Sequence, residues 1–358
     1  MNNSCYNFLA KYCPDEVVEK GGCPLCGGTD PECAKCAEKL KKNLEYIQTH
    51  DIITDTCVQD YHNCDHEYFK RAKRRMPNEN PTLYYGVELE MMFDSPYDEE
   101  CDEYDKPDFD WIIERVAEIT GGMFVAENDG SLEDGSNYGI EFISRPCSYA
   151  YWTSPETVEK IKNMMKFLRE HDAYESSCAG MHIHVSRRFF EARGVMGYER
   201  ELTWLVGEFQ EGLEMIGGRK FTSYCVSWKD SMKQSINAIN SNLPLTNVRG
   251  ELKKENVRAG HDGRYSAVNA QNRNTVEFRF FGSTLDPERF LASIETARAL
   301  CHHVASKNAP ENSTLGEILH NKETLFLDKV LNDLHKRQRG REKKALEEVD
   351  TDTVVVEA

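Results

Sequence analysis

The chain has 358 residues, 39% of them hydrophobic and 29% charged, with a formal net charge of −17. That balance fits a large globular domain with a smaller one beside it, and no run approaches the ~18 uncharged apolar residues of a membrane span. The acidic surplus argues against nucleic acid as a ligand, because its phosphates are held through Lys and Arg.

The opening MNNSCYNFLAKYC has no basic segment followed by an apolar run. No secretion signal is read there, and a reducing, cytoplasmic setting is expected. Eight of the 13 cysteines fall within residues 1–75. Cys23-Pro24-Leu25-Cys26 and Cys33-Ala34-Lys35-Cys36 form two CxxC knuckles, the spacing with which thiolates enclose a tetrahedral zinc ion. Cys57, Cys64 and His66 extend the donor set, and Cys5 and Cys13 are also available. These donors suffice for one or two ions, and the six residues between the knuckles are few for both to serve one ion. Residues 1–75 are therefore expected to be a zinc-binding module that recognises a partner, covers a substrate or braces the fold. The basic run Lys70 to Arg75 reads as a helix surface or linker. Met76-Pro77-Asn78-Glu79-Asn80-Pro81 marks a linker at 76–82.

Strand and helix signals alternate from residue 83 to 336. Short segments mixing β-branched, aromatic and alternating polar residues predict strands at 83–93, 122–126, 138–145, 181–186, 264–269 and 275–281. Apolar periodicity predicts helices at 110–120, 154–171, 198–216, 287–305 and 313–336. Two of these open on cap residues before a proline, Ser154-Pro155 and Asp286-Pro287. Ser95 to Asp110 carries eight acids against one Lys and reads as a solvated loop, and residues 337–358 read as a charged disordered tail. The class is α+β, a mainly antiparallel sheet with helices on one side.

Side chains two apart on a strand share a face, and that rule isolates a chemical cluster. Glu88 and Glu90 oppose Val87, Leu89 and Met91. His182 and His184 oppose Met181, Ile183 and Val185. Glu277 and Arg279 oppose Val276, Phe278 and Phe280, while Glu141 opposes Ile140, Phe142 and Ser144. The apolar sides must be core, so the other side would ordinarily meet water. Carboxylates gathered there repel one another unless cations sit among them, and hard oxygen donors favour Mg²⁺ or Mn²⁺. The turn Glu127-Asn128-Asp129-Gly130 brings Glu127 and Asp129 within reach of that face. Arg145, Arg264 and Arg279 are cations available for phosphate. Cys178 reads as a buried thiol, with no partner base to activate it.

In order, GVELE, ENDGSL, GIEFISRP, CAGMHIHVS and RYSAVN leading to TVEFRFFGSTLD resemble the amidoligase family, carboxylate–amine ligases related to glutamine synthetase and γ-glutamylcysteine synthetase. The resemblance covers about residues 83–305 and stops short of the cysteines. It implies a curved antiparallel sheet holding ATP and Mg²⁺, on which a carboxylate is activated as an acyl phosphate before an amine attacks. It implies that Glu88, Glu90, Glu141, His184 and Glu277 hold metal. Arg279 and Arg264, with Glu277, would act on the transferring phosphate, and Arg145, Glu127 and His182 would meet the nucleotide. Phosphoryl transfer needs charge neutralisation more than covalent help, which suits the lack of a GxxxxGK or GxSxG motif. The substrates would be a carboxylate and an amine, including those of a peptide or protein. The same residues leave two alternatives: a metal-dependent hydrolase using the HxH and carboxylates, and a non-catalytic zinc-containing binding protein.

Overall fold

The computed structural model describes residues 83–95, 97–98, 103–104, 107–134, 137–221, 225–227, 265–306 and 313–339. The strands are β1 (Tyr84–Phe93), β2 (Tyr97–Asp98), β3 (Glu103–Tyr104), β4 (Phe124–Glu127), β5 (Glu133–Asp134), β6 (Asn137–Ser144), β7 (Cys147–Ser148), β8 (Ala173–Tyr174), β9 (Gly180–Ser186), β10 (Val268–Asn269) and β11 (Thr275–Gly282). The helices are α1 (Phe109–Thr120), α2 (Tyr149–Trp152), α3 (Pro155–Glu170), α4 (Arg188–Glu191), α5 (Tyr198–Glu208), α6 (Gln210–Gly217), α7 (Pro287–Ala305) and α8 (Leu315–Leu319), followed by α9 at 327–339. The class is α+β. A nine-stranded sheet runs β10-β11-β9-β1-β6-β4, with β5 on β6 and β7 and β8 on β1. Its named strands pair antiparallel throughout.

The apolar side of the sheet is built as the alternation requires. Val87, Leu89, Met91, Ile140, Phe142, Met181, Ile183, Val185, Val276 and Phe278 join one buried cluster with Ile112 and Val116 of α1, Ile161 and Leu168 of α3, and Phe290 and Ile294 of α7. Helix α7 is buried on all sides from Phe290 to His302, since α2, α3, α5 and α8 pack on it and β9 touches it. That explains its weak polar–apolar periodicity: a helix with no solvent face needs none. Both caps read from sequence are present. Ser154 Oγ accepts the Thr157 N–H at 3.3 Å, and Asp286 Oδ1 accepts those of Glu288 and Arg289. Among the described residues no helix is long and apolar enough to cross a membrane.

Four expectations change. The helix expected at 198–216 breaks into α5 and α6 at Phe209, whose φ of −104° and ψ of 24° leave the helical well. The helix expected at 313–336 is interrupted because Glu295, buried in α7, draws in the turn before α9. Its carboxylate accepts the N–H groups of Leu325, Phe326 and Leu327 at 2.8, 3.0 and 2.7 Å and the Tyr149 hydroxyl at 2.7 Å. A side chain distant in sequence thus starts that helix. Within the acidic stretch, β2 and β3 pair as a small hairpin, so it is not loop throughout. The strand expected at 264–269 contributes only Val268–Asn269 to the described sheet.

One irregularity matters for the site. Phe278 lies opposite Ile183 and Phe281 opposite Met181, so Arg279 and Phe280 together face His182. This β-bulge leaves Phe280 and Phe281 both wholly buried despite being adjacent.

Candidate metal and phosphate site

Strand register assembles the polar face into rows. Glu127 of β4, Glu141 of β6 and Glu90 of β1 lie directly opposite one another. The next row sets Glu88 opposite His182. In the third, His184 lies opposite Gly86 and Glu277, and Glu277 opposite Asn269. This face is not the wet side of a two-faced sheet: Glu90, Glu127, Glu141, His182 and Glu277 are each at most 5% exposed.

His182 sits at the centre. Its Nδ1 lies 3.3 Å from Glu88 Oε2 and 3.6 Å from Glu277 Oε1, and its Nε2 lies 3.5 Å from Glu90 Oε1. Ligand atoms of Glu88, His182 and Glu277 fall within 4.8 Å of one another, as do those of Glu90, Glu141 and His182. His184 Nε2 is 2.9 Å from Glu88 Oε1, and its Nδ1 is 3.1 Å from Thr275 Oγ1. Arg279 hydrogen-bonds Glu277 and reaches within 3.4 Å of His182 Nδ1.

The electrostatics follow from this crowding. Burial alone would raise the Glu88 carboxyl, but the charges of His184 and His182 and hydrogen bonds from both hold it well below the usual range. Burial would lower His184, yet Glu88 and Glu277 outweigh it and push the imidazole up to about 9. Glu141 has no such relief. Burial, then the charges of Glu88, Glu90, Asp129 and Glu127, push it well above an ordinary carboxyl. Glu141 therefore keeps its proton to higher pH than an ordinary carboxyl unless another cation takes the proton's place. Burial opposes the Arg279 charge, and Glu277 more than restores it, so this guanidinium is fixed as a cation.

Sequence reasoning missed residues that support the cluster. The side-chain amides of Asn269 and Asn272 donate to Glu277 Oε2 at 2.8 and 3.1 Å, leaving Oε1 to Arg279. The amide-rich run Asn269-Ala270-Gln271-Asn272 before a Glu-bearing strand was the available signal. The Gly180 N–H donates to Glu90 Oε2, and nothing in the sequence announces a backbone contact. Arg187, at the end of β9, holds the β10–β11 turn. Its guanidinium donates to the carbonyls of Ala270, Asn272 and Thr275 and pairs with Glu199, while its backbone N–H donates to Asn274 O.

Other expected residues fall elsewhere. Arg145 shares the strand face of Glu141 but lies four residues further on, roughly 13 Å along an extended chain, where its charge is felt by Tyr151. Asp129 caps its own turn, accepting the Ser131 N–H at 2.8 Å, while its charge still reaches Glu141. Cys178 is half-buried rather than buried, with Sγ 3.1 Å from Ser176 Oγ. Arg264 and the zinc candidates Cys23, Cys26, Cys33, Cys36, Cys57, Cys64 and His66 lie outside the described residues.

A family model described as "Putative amidoligase enzyme" matches residues 36–301, well over half of the chain. The chain belongs to the amidoligase family. The match starts at Cys36, so the amidoligase relationship enters the cysteine-rich segment rather than stopping near residue 83 as the motifs alone indicated. Every strand of the polar cluster falls inside the matched span. No curated protein matches the chain.

Proposed function

We propose that this amidoligase is an ATP- and Mg²⁺-dependent carbon–nitrogen ligase that joins an amine to a carboxylate through an acyl phosphate. The observation that carries this reading is the pair of donor groups that share the buried His182, flanked by the Arg279 guanidinium. Glu141 supports it, because a buried carboxyl pressed by four like charges is poorly matched to its site until a cation neutralises it. Glu88 and Glu277 with His182 would hold one divalent cation, Glu90 and Glu141 a second, with His184 securing Glu88. Carboxylates with a single imidazole suit Mg²⁺ or Mn²⁺. Bound there, the ions would supply charge for the nucleotide phosphates.

The remaining steps fall to the chain's own groups. A substrate carboxylate oxygen would attack the γ-phosphorus, and ADP would leave. Arg279 and Arg264 would steady the oxygens of the phosphoryl group in flight. The amine nitrogen would then attack the acyl carbon, expelling phosphate and losing a proton. Burial of the cluster favours this route because water would hydrolyse the acyl phosphate. Arg145 and Glu127 would contact the nucleotide, and a glutamine-synthetase-like curvature of the sheet would hold it. Cys23, Cys26, Cys33 and Cys36, with Cys57, Cys64 and His66, would bind zinc in a separate module. A cytoplasmic location would keep those thiols reduced.

The test is to incubate the protein with ATP, Mg²⁺ and a cell extract and to identify products by mass spectrometry. Phosphate release that requires both an acceptor amine and a carboxylate is expected. Bond cleavage without ATP would replace the ligase with a metal-dependent hydrolase, and no turnover at all would leave a binding protein.

A further inference from the structure

Helix α6 ends where its backbone meets β11. A Cβ on Gly217 would lie 2.7 Å from Phe280 O, and one on Gly282 3.3 Å from Gly217 O. Gly218, with φ of 72°, then turns the chain and pairs with Phe281. The turn delivers Arg219 across the first residue of β9. A Cβ on Gly180 would stand 1.9 Å from Arg219 Nη1 and 3.3 Å from Glu90 Oε2. Only a bare backbone lets the guanidinium lie there, beside the Glu90 end of the polar cluster.

Arg219 is 9% exposed. A guanidinium carries five N–H donors, yet the hydrogen bond Arg219 makes among the described residues is a long one, 3.5 Å from Nη1 to Arg279 O. Among the described residues its buried Nε has no acceptor. Glu90 does not answer it: Oε2 takes the Gly180 N–H, and Oε1 faces His182. A buried cation left with idle donors is costly, and four glycines, Gly180, Gly217, Gly218 and Gly282, make the close approaches that place it. Arg279 engages Glu277 from the other end of His182, so the two arginines bracket the cluster.

We propose that Arg219 is an oxyanion-binding residue at the Glu90 end of the site, taking a carboxylate or phosphate oxygen of the substrate on its free fork. This rests on the ligase reading only in calling that anion a substrate. Binding of the anion itself can be measured without turnover. The probes are inorganic phosphate and succinate, each titrated calorimetrically into the full-length protein with Mn²⁺, and Mn²⁺ binding is followed in the same samples by electron paramagnetic resonance. The parent should bind one of the two anions, and which one identifies the source of the oxygens. Arg219→Met should weaken that anion ~tenfold or more while Mn²⁺ affinity stays within about threefold. Arg219→Lys, which keeps the charge and loses the fork, should recover only part and serves if Arg219→Met does not fold. Equal anion affinity in parent and folded variant, or a parent that binds neither anion, overturns the proposal. A parent that binds no Mn²⁺ instead refutes the metal reading and leaves Arg219 to be judged on the anion titration alone.

Discussion

Replacing Arg187 by Met separates the scaffold of the site from its ligands. The substitution keeps the aliphatic stem and removes every donor. Carbonyls of Ala270, Asn272 and Thr275 lose a charged partner at once, two of them at 2.8 and 3.0 Å, and Glu199 loses its ion pair. A hydrogen bond from a charged donor contributes ~1.5–3 kcal/mol. The side chain is 11% exposed, so water would reach some of the orphaned carbonyls, and the losses are not additive. A destabilisation of ~3–5 kcal/mol is expected. The turn that Arg187 holds also aims Asn269 and Asn272 at Glu277, and misplaced support around a ligand typically costs ~10–100-fold in metal affinity. Urea denaturation reads the first quantity, and calorimetric titration of Mn²⁺ at a temperature where the variant is folded reads the second. Lost stability with Mn²⁺ affinity within twofold of the parent would refute the link between turn and site. Unchanged stability would refute the hydrogen-bond accounting itself.

Three further outcomes follow from the geometry. Glu295→Ala removes the acceptor of three backbone N–H groups and the Tyr149 hydroxyl. It should cost ~3 kcal/mol or more in chemical denaturation without altering Mn²⁺ affinity in the folded protein, and a loss under ~1 kcal/mol refutes this. Metal binding should release the proton that burial and its four acidic neighbours keep on Glu141. Because the metal needs the ionised form and Glu141 sits well above the ordinary carboxyl range, Mn²⁺ affinity should rise with pH above that range, by up to ~tenfold per pH unit, and calorimetry showing no pH dependence would contradict it. Arg279→Lys keeps charge and loses bidentate geometry, so kcat for ATP turnover should fall ~10²-fold, ~2.7 kcal/mol of barrier, with little change in KM. If steady-state kinetics put kcat within a few-fold of the parent, Arg279 does no more than pair with Glu277.

Much of the site was legible because a strand encodes its two faces by parity. Glu88, Glu90, Glu141, His182, His184, Glu277 and Arg279 could be grouped from spacing alone, and register brings them together. Parity says nothing about what lies above a face. The burial of Glu90 and Glu141 was therefore unreadable, and so was the path of Arg219 across Gly180. Arg187 and Glu295 escaped for a related reason. Each acts on backbone groups far along the chain, and a carbonyl or N–H has no letter in the sequence. The helix broken at Phe209 shows the complementary limit: its apolar period continues across the break, so the pattern reports one face and not one rod.

The bulge at Phe280 gives β11 an unequal tolerance for changes in length. Removing Phe278 would exchange the two sides of everything that precedes the cut, sending Glu277 toward the core and Val276 toward the cations. Removing Phe280 would instead restore two-residue alternation and leave Arg279 against His182 and Phe281 against Met181, as they stand now. The loss would fall on the rings that Phe280 packs on, those of Phe221, Phe278 and Phe281, and on the close approach of Gly217 to its carbonyl. Related chains could thus differ by one residue at this point and keep the same chemistry, whereas the same deletion a few positions earlier would dismantle it.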